Sequence, residues 1–198
     1  MFMKRMYLSL TLLSLVIFSF IYFYPCFADE WIVEVVSVET GVIESGIWVW
    51  RDCFRRSETI SFKVTVINRA AVSKDVKITV TVCDRIDRPM GYYDEEVNLP
   101  PGTSNIFYLP ISIPNWVAGG EAVVRVNALE VIGGMPFPPC CPETSARLVI
   151  YYDMRDIALV AKAYGSYPDH PNWDEAGDVN EDGKVDIRDL AIVVKQWE

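Results

Sequence analysis

The sequence predicts a mainly β protein, in which a β-sandwich is followed by a small pair of α-helices. From Trp31 to about Tyr152, short runs of alternating apolar and polar residues are separated by turn residues, a spacing typical of all-β sandwiches. In residues 153–164 and again in residues 186–197, apolar residues recur at helical intervals instead. We therefore expect a leader over 1–28, a sandwich over 29–151 and a helical module over 152–198.

The overall composition limits the classes of partner. The chain has 198 residues, of which 51% are hydrophobic, and a net charge of −9. This length suits one domain of ordinary size plus a small module, and the apolar content is too high for a disordered acidic tail. The negative charge disfavours nucleic acid and anionic lipid as partners.

The N-terminus has the pattern of a secretory leader. Lys4 and Arg5 precede an apolar run from Tyr7 to Tyr24, and Ala28 is followed by acidic residues. We expect cleavage after Ala28 and a secreted or cell-surface protein. The alternative is an uncleaved anchor, because the apolar run is just long enough to span a bilayer. A membrane would then be contacted only through this N-terminal segment.

The predicted mature chain keeps four cysteines, Cys53, Cys83, Cys140 and Cys141. An exported protein meets a compartment that permits disulfides. A bond between the two adjacent cysteines would need a strained eight-membered ring, so we expect both to bond outward to Cys53 and Cys83, in an order that stays open. A zinc site is the alternative, disfavoured because the only histidine, His170, lies far along the chain.

Eight strands are predicted in the sandwich. In residues 62–68 and 76–82 apolar and polar residues alternate with period two, as in strands with one buried face. We expect these two segments to be adjacent strands of one sheet. The full set of predicted strands is Trp31–Val38, Ile47–Trp50, Ile60–Asn68, Val76–Cys83, Tyr92–Asn98, Asn105–Ile113, Ala122–Leu129 and Ala146–Tyr152.

The sandwich segment shows no pattern of a catalytic site, and we expect no enzyme. The acidic run 94–96 lies on a strand, where neighbouring side chains point to opposite faces, so it is a poor glycosidase pair. The sole histidine lies in a turn of the other module. Five aromatics offer an alternative, a sugar-stacking platform, although aromatics at strand spacing are more often core or cross-strand pairs. They are Trp48, Trp50, Tyr92, Tyr93 and Trp116.

The C-terminal module contains an internal repeat. Residues 153–164 align with 186–197, and six of the twelve positions are identical. Both copies place apolar residues at helical spacing, which predicts two helices with facing apolar stripes. The stripes are Ile157, Val160, Tyr164 in the first copy and Leu190, Val194, Trp197 in the second.

The segment from Asp178 to Leu190 has the ligand spacing of an EF-hand-type calcium loop. Side-chain oxygens fall at loop positions 1, 3, 5, 9 and 12, and Gly183 occupies the sharp turn at position 6. The weighed alternative is a solvated acidic turn. The predicted Ca²⁺ ligands are Asp178, Asn180, Asp182, the carbonyl of Lys184, Asp186 through water, and Asp189.

The sandwich segment resembles the immunoglobulin-like adhesion modules of secreted bacterial and archaeal proteins. The resemblance rests on the strand end Val64–Asn68, on the alternating strand that follows, and on the turn at 98–102. It implies an immunoglobulin-like β-sandwich that binds, spaces or displays, and it implies no particular activity.

The duplicated loop–helix unit over about Tyr152–Trp197 is similar to type I dockerin modules. The resemblance implies a calcium-ordered module, one helix face of which docks onto a cohesin domain. The first loop would begin at Ser145 and carries Arg147, Val149 and Ile150 at ligand and glycine positions. We therefore expect one calcium instead of two, and a strand that runs directly into the first helix, which joins the modules rigidly. The usual Ser-Thr at positions 10 and 11 is replaced by Met-Arg and Ile-Arg.

Together these patterns predict a secreted, non-enzymatic, calcium-binding surface protein whose tail docks onto a protein partner. The expected partner is a cohesin-like domain or another copy of the chain. Two alternatives stay open, a subunit of a self-assembling surface array or fibre, and a carbohydrate-binding accessory module of a polysaccharide-degrading system.

Overall fold

The computed structural model describes residues 32–197. The predicted leader, 1–28, lies outside the described residues. The described residues from 33 onward form one compact unit that contains both the sandwich and the helix pair. The fold class predicted from the sequence, a β-sandwich followed by a small helix pair, is confirmed.

Within residues 32–197, ten strands form two sheets. A four-stranded sheet has the order β2-β1-β4-β7, and a six-stranded sheet has the order β3-β10-β8-β5-β6, with β9 paired to β8. The strands are β1 Val33–Glu44, β2 Ile47–Trp50, β3 Cys53–Phe54, β4 Thr59–Asn68, β5 Lys74–Cys83, β6 Pro89–Leu99, β7 Ser104–Ser112, β8 Gly120–Ile132, β9 Met135–Pro139 and β10 Thr144–Ile150.

All eight predicted strands are present, but one predicted pairing is wrong. β4 and β5 do not neighbour each other; β4 pairs with β1 and β7, whereas β5 pairs with β6 and β8 in the opposite sheet. Residues 69–73 carry the chain from one sheet to the other. The alternating pattern shows only that one face of a strand is buried. Strands of both sheets have such a face, so the pattern does not say which sheet a strand joins. The short strands β3 and β9 carry no alternation and were not predicted.

The core lies between the two sheets. Alternate residues of β4, including Phe62 and Val64, and alternate residues of β5, including Ile78 and Val80, are fully buried. They belong to one apolar cluster that also takes in residues of β1, β6, β7, β8 and β10. The burial of these side chains is the main force that holds the sheets together.

Asn68 fixes the crossing from β4 to β5. Its amide group is fully buried and donates to the carbonyls of Val72 (2.9 Å) and Leu99 (2.8 Å), while its Oδ1 accepts from the N–H of Ala70 (2.9 Å). One side chain therefore satisfies three backbone groups at the corner where the chain changes sheets.

We predict that Asn68→Ala lowers the free energy of unfolding by about 1–3 kcal/mol, because it leaves buried backbone groups without partners. Asn98→Ala is the matched control, since Asn98 is exposed and its one side-chain bond is to Asp75. That control should change stability by less than about 0.5 kcal/mol. Urea denaturation followed by tryptophan fluorescence measures both; equal effects would contradict the role of Asn68.

The predicted disulfides do not form in this structure, where Cys83, Cys140 and Cys141 are free thiols. Cys83 lies opposite Val123 of β8, whereas the N–H of Cys140 donates to the carbonyl of Ala128 in the same strand. Five residues of extended strand separate these positions, about 16 Å. A disulfide joins Cα atoms that are less than about 7 Å apart, so this pairing is excluded by the register.

The second predicted pairing fails for the same reason. Cys53 lies opposite Val149 of β10, and Val149 lies opposite Glu121 of β8. Glu121 is seven residues from Ala128, about 23 Å along the strand. The sheet therefore places Cys53 at the opposite end from Cys140.

Two helices follow the sandwich, α1 Met154–Ala163 and α2 Ile187–Lys195. Each begins with an aspartate N-cap, Asp153 or Asp186, whose side chain and backbone form a capping box with an aspartate three residues later. A short 3-10 helix, Glu175–Gly177, lies between them. Within residues 32–197, no helix has both the length and the apolarity to cross a membrane.

The predicted stripes of the helices are partly wrong. Val160 and Val193 are fully buried and form a small second core with Val185 and Tyr152. Tyr164, Val194 and Trp197, however, are largely exposed. A helical period allows several choices of inward face, and the contacts with the sandwich and the loop select the one that contains Asp156 and Asp189.

Candidate metal centre

The predicted calcium loop connects the 3-10 helix to α2 and is tightly wound. Gly183 has a φ of 81°, in the left-handed region that glycine adopts without steric cost, and Glu181 has a φ of 59°. Nothing lies within 4 Å of the place that a Cβ on Gly183 would take. Glycine is therefore needed here for its backbone conformation and not for space.

The first half of the loop is folded around side-chain oxygens. The carboxylate of Asp178, which is buried, accepts from the N–H groups of Asp182 (3.1 Å) and Gly183 (2.8 Å). Asn180 Oδ1 accepts from the N–H of Asp182 (3.0 Å), and Asp182 Oδ1 accepts from the N–H of Lys184 (3.1 Å). The donors at positions 1, 3 and 5 are thus held on a single turn by local backbone bonds.

Asp189 joins the two ends of the loop. It is fully buried, and its Oδ1 accepts from the N–H groups of Val179 (2.7 Å) and Asn180 (3.0 Å) at the start of the loop. Its Oδ2 accepts from the N–H of Asp186 (2.8 Å), where α2 begins. One carboxylate from α2 therefore brings position 12 back to positions 2 and 3.

The structure thus brings the predicted donors onto one loop, with Asp178 and Asp189 inward and the others nearer the surface. Arg188 lies across the outside, with its guanidinium 2.7 Å from Asp182 and 3.7 Å from Asp186. Among the described residues, no group of three or more His, Cys, Asp or Glu stands in an arrangement that could hold a metal ion as it is. The donor chemistry, carboxylate, amide and carbonyl oxygen, nevertheless fits a hard cation such as Ca²⁺.

The sandwich contacts the start of this loop through Arg85. The Arg85 side chain is almost fully buried and donates to the carbonyls of Ala176 (2.7 Å) and Asp178 (2.9 Å). It also donates to the carbonyl of Gly119 in the sandwich (3.3 Å). A single residue therefore ties Asp178, the first of the predicted ligands, to the sandwich.

Tyr152 fills the junction between β10 and α1. It is buried and packs so closely on Gly119 that a Cβ there would lie 2.7 Å from the ring. Its burial raises the pKa of the phenol. Tyr152 also forms an isolated parallel bridge with Trp197, which brings the two ends of the helical module together. The module is thus packed against the sandwich as well as joined to it.

The helix pair exposes apolar side chains at positions related by the internal repeat. Met154 and Ile187, each 60% exposed, occupy equivalent positions, and so do Tyr164 (56%) and Trp197 (42%). Exposed apolar side chains that cluster on one element commonly mark an interaction surface. The duplication therefore places an exposed apolar residue at the first position of each helix and an exposed aromatic residue just beyond its last turn.

The five aromatics considered as a sugar platform do not share one surface. Trp48 and Trp50 lie on β2 of the four-stranded sheet, whereas Tyr92 and Tyr93 lie on β6 of the other sheet. Trp116 follows β7 and lies beneath the guanidinium of Arg88. The acidic run 94–96 is likewise a surface feature, since Asp94 and Glu96 both pair with Lys77.

Two contacts between the sandwich and the module were not predicted from the sequence. They are the bond from Arg85 to the carbonyl of Asp178 and the bond from Arg56 to the carboxylate of Asp156. Each donor is a single arginine in a turn of the sandwich, more than 90 residues from its partner in the module. Isolated arginines in a chain carry no periodicity or motif, so local sequence contains no signal for them.

Comparisons with known proteins bear on the two modules differently. No curated protein sequence matches the chain. Among solved structures, the C-terminal domain of Wzt is similar over 62% of this chain and 75% of its own, with 9% identity and a TM-score of 0.46. The DNA glycosylase AlkC of Pseudomonas fluorescens is 12% identical over 60% of this chain and 30% of its own, with a TM-score of 0.42.

A β-glucosidase of Erythrobacter marinus is 13% identical over 60% of this chain and 15% of its own, with a TM-score of 0.43. At such identities and scores these neighbours indicate neither an activity nor a partner. The C-terminal module is different. Residues 153–198 match the family model described as the dockerin type I domain, which confirms the similarity of this module to dockerins.

Proposed function

We propose that the chain is a secreted, non-enzymatic surface protein whose C-terminal module binds one calcium ion and docks onto a protein partner. The observation that carries this proposal is the dockerin match over a segment whose loop gathers oxygen donors at calcium spacing. The sandwich would present the module and would hold it in place through Arg85 and Tyr152.

The calcium ligands in this proposal are the side chains of Asp178, Asn180, Asp182 and Asp189, the carbonyl of Lys184, and Asp186 through water. The bound ion would offset the repulsion among the carboxylates and hold the loop against α2. Titration calorimetry of the mature protein with Ca²⁺ is the direct test. We expect one ion per chain; the absence of a binding isotherm, or two equivalent ions, would contradict the assignment.

Gly183→Ala tests the geometry of the loop. Because the left-handed conformation costs a non-glycine residue about 1–2 kcal/mol, we predict an affinity for Ca²⁺ that is roughly 10-fold lower. Gly183→Asn is the matched control, since asparagine tolerates this conformation and should recover most of the affinity. Calorimetry measures both variants. Equal losses in Ala and Asn would mean that the backbone conformation at 183 is not what limits binding.

The docking surface in this proposal is the exposed apolar face of the helices. Its side chains Met154 and Ile187 stand at position 10, where many type I dockerins carry the serine of the Ser-Thr pair, and arginine follows at position 11 in both copies. We therefore propose a cohesin-like partner with an apolar contact surface. Biolayer interferometry with purified cohesin-like domains from the same proteome tests it. Ile187→Asp should weaken capture at least about 100-fold, because it would bury a charge in the interface.

Ile106→Asp is the matched control, since Ile106 is a similarly exposed isoleucine on β7 of the sandwich. We expect that variant to bind as the unmodified protein does. A loss of capture by both variants, or by neither, would contradict docking through the helices. Light scattering after size exclusion, with calcium and with chelator, tests the alternative of self-assembly, for which calcium-dependent oligomers are the expected result.

A further inference from the structure

The two halves of the C-terminal repeat hold their capping aspartates in the same way. In α2, Asp189 Oδ2 accepts from the N–H of Asp186 at 2.8 Å. In α1, Asp156 Oδ2 accepts from the N–H of Asp153, also at 2.8 Å. The repeat aligns Asp153 with Asp186 and Asp156 with Asp189, so each half retains the acids of loop positions 9 and 12.

The second oxygen of the buried acid has a different partner in each half. Asp189 Oδ1 accepts from the N–H groups of the calcium-type loop. Asp156 Oδ1 instead accepts from Nη2 of Arg56 at 2.6 Å and from the N–H of Gly119 at 3.2 Å. Nη1 of the same arginine lies 2.9 Å from Asp153 Oδ2. In the first half, the acids of positions 9 and 12 are therefore bridged by a guanidinium from the sandwich.

The guanidinium of Arg56 is buried, and each of its three nitrogens has a partner. The Arg56 side chain is 4% exposed, and it also donates to the carbonyls of Val117 (3.0 Å) and Tyr151 (3.4 Å). A buried cation needs compensating charge and fully satisfied donors. The buried Asp156 and the partly exposed Asp153 provide that charge.

We propose that Arg56 supplies the positive charge of the degenerate first half-site, in place of a metal ion. The β-domain then holds α1 by a covalently attached cation, whatever the calcium concentration. α2 keeps a metal-type loop, so its order would depend on calcium, a part of the inference that rests on the proposed function. The module is thereby divided into a half that is permanently anchored and a half that responds to calcium.

Hydrogen exchange of the mature protein, followed by mass spectrometry with Ca²⁺ and with chelator, tests this division. In the unmodified protein, amides of α1 should exchange at the same rate in both solutions, whereas amides of α2 should exchange faster with chelator. In Arg56→Gln, α1 should exchange roughly 10-fold faster or more in both solutions, through the loss of charge-assisted hydrogen bonds. Arg55→Gln, a change at the exposed neighbouring arginine, should leave α1 unchanged.

Two results would overturn the role of Arg56. The first is that, in the unmodified protein, chelator speeds amide exchange in α1 as much as it does in α2. The second is that amide exchange in α1 is unchanged in Arg56→Gln. If amide exchange in Arg56→Gln also becomes faster in the strands of the sandwich, a second variant is needed. Asp153→Asn removes only the outer carboxylate, and amide exchange should still become faster in α1 alone. An α2 that ignores calcium would contradict the proposed metal site alone, since the Arg56 result does not depend on it.

Discussion

Replacing Asp189 by asparagine is expected to lower the affinity for Ca²⁺ at least about 100-fold and to loosen α2. The side chain is fully buried, and its two oxygens accept from three backbone N–H groups, those of Val179, Asn180 and Asp186. A carboxamide keeps the size but loses the charge, and its NH₂ group faces N–H donors on one side. Each hydrogen bond to a charged acceptor contributes about 1.5–3 kcal/mol. The free energy of unfolding of the C-terminal module should therefore fall by several kcal/mol.

Calorimetry measures the affinity, and urea denaturation with chelator separates the loss of the hydrogen bonds from the loss of the ion. Asp169→Asn is the matched control, because it removes the same charge at an exposed position before the loop and a positive φ suits asparagine. We expect that variant to bind as the unmodified protein does. Calcium binding that persists in Asp189→Asn, or that falls equally in both variants, would argue against position 12 as a ligand.

Replacing Phe62 by alanine is expected to lower the free energy of unfolding of the sandwich by about 3–5 kcal/mol. Phe62 is fully buried on the inner face of β4, in the apolar cluster between the sheets. The substitution removes a large apolar surface and leaves a cavity that close-packed strands fill only in part. A loss of this size is a large fraction of the stability of an ordinary domain.

Urea denaturation with chelator present isolates the sandwich from the effect of calcium. Tyr92→Ala is the matched control, since it removes an aromatic ring from the outer face of β6, where the side chain is 58% exposed. Its cost should stay below about 1 kcal/mol. Comparable losses in the two variants would mean that the inner face of β4 is not the core of the domain.

The sandwich and the C-terminal module are packed together as one compact unit. The sandwich contributes two arginines to the module, Arg56 to α1 and Arg85 to the metal loop. Both side chains are buried, so neither contact is a screened surface pair of small effect. The exposed face of the helices is then presented at a defined orientation to the sandwich.

The features that were correctly predicted are those encoded by neighbouring residues. Strand alternation depends on residues two apart, and the helical repeat depends on apolar residues three or four apart. Local spacing determines local geometry in each case. Eight of the described strands and both helices follow from it, whereas the calcium ligands stay a prediction.

Tertiary contacts decided the rest. The choice of sheet for β5, the separation of Cys83 from Cys140, and the exposure of Tyr164 and Trp197 depend on which elements pack together. So does the pairing of Arg56 with Asp156, which lies 100 residues away along the chain. Burial and charge compensation act between groups that are close in space, and one sequence period is compatible with several such arrangements. The missing loop oxygens of the first half are visible in the sequence, but only the folded chain shows that the guanidinium of Arg56 bridges Asp153 and Asp156.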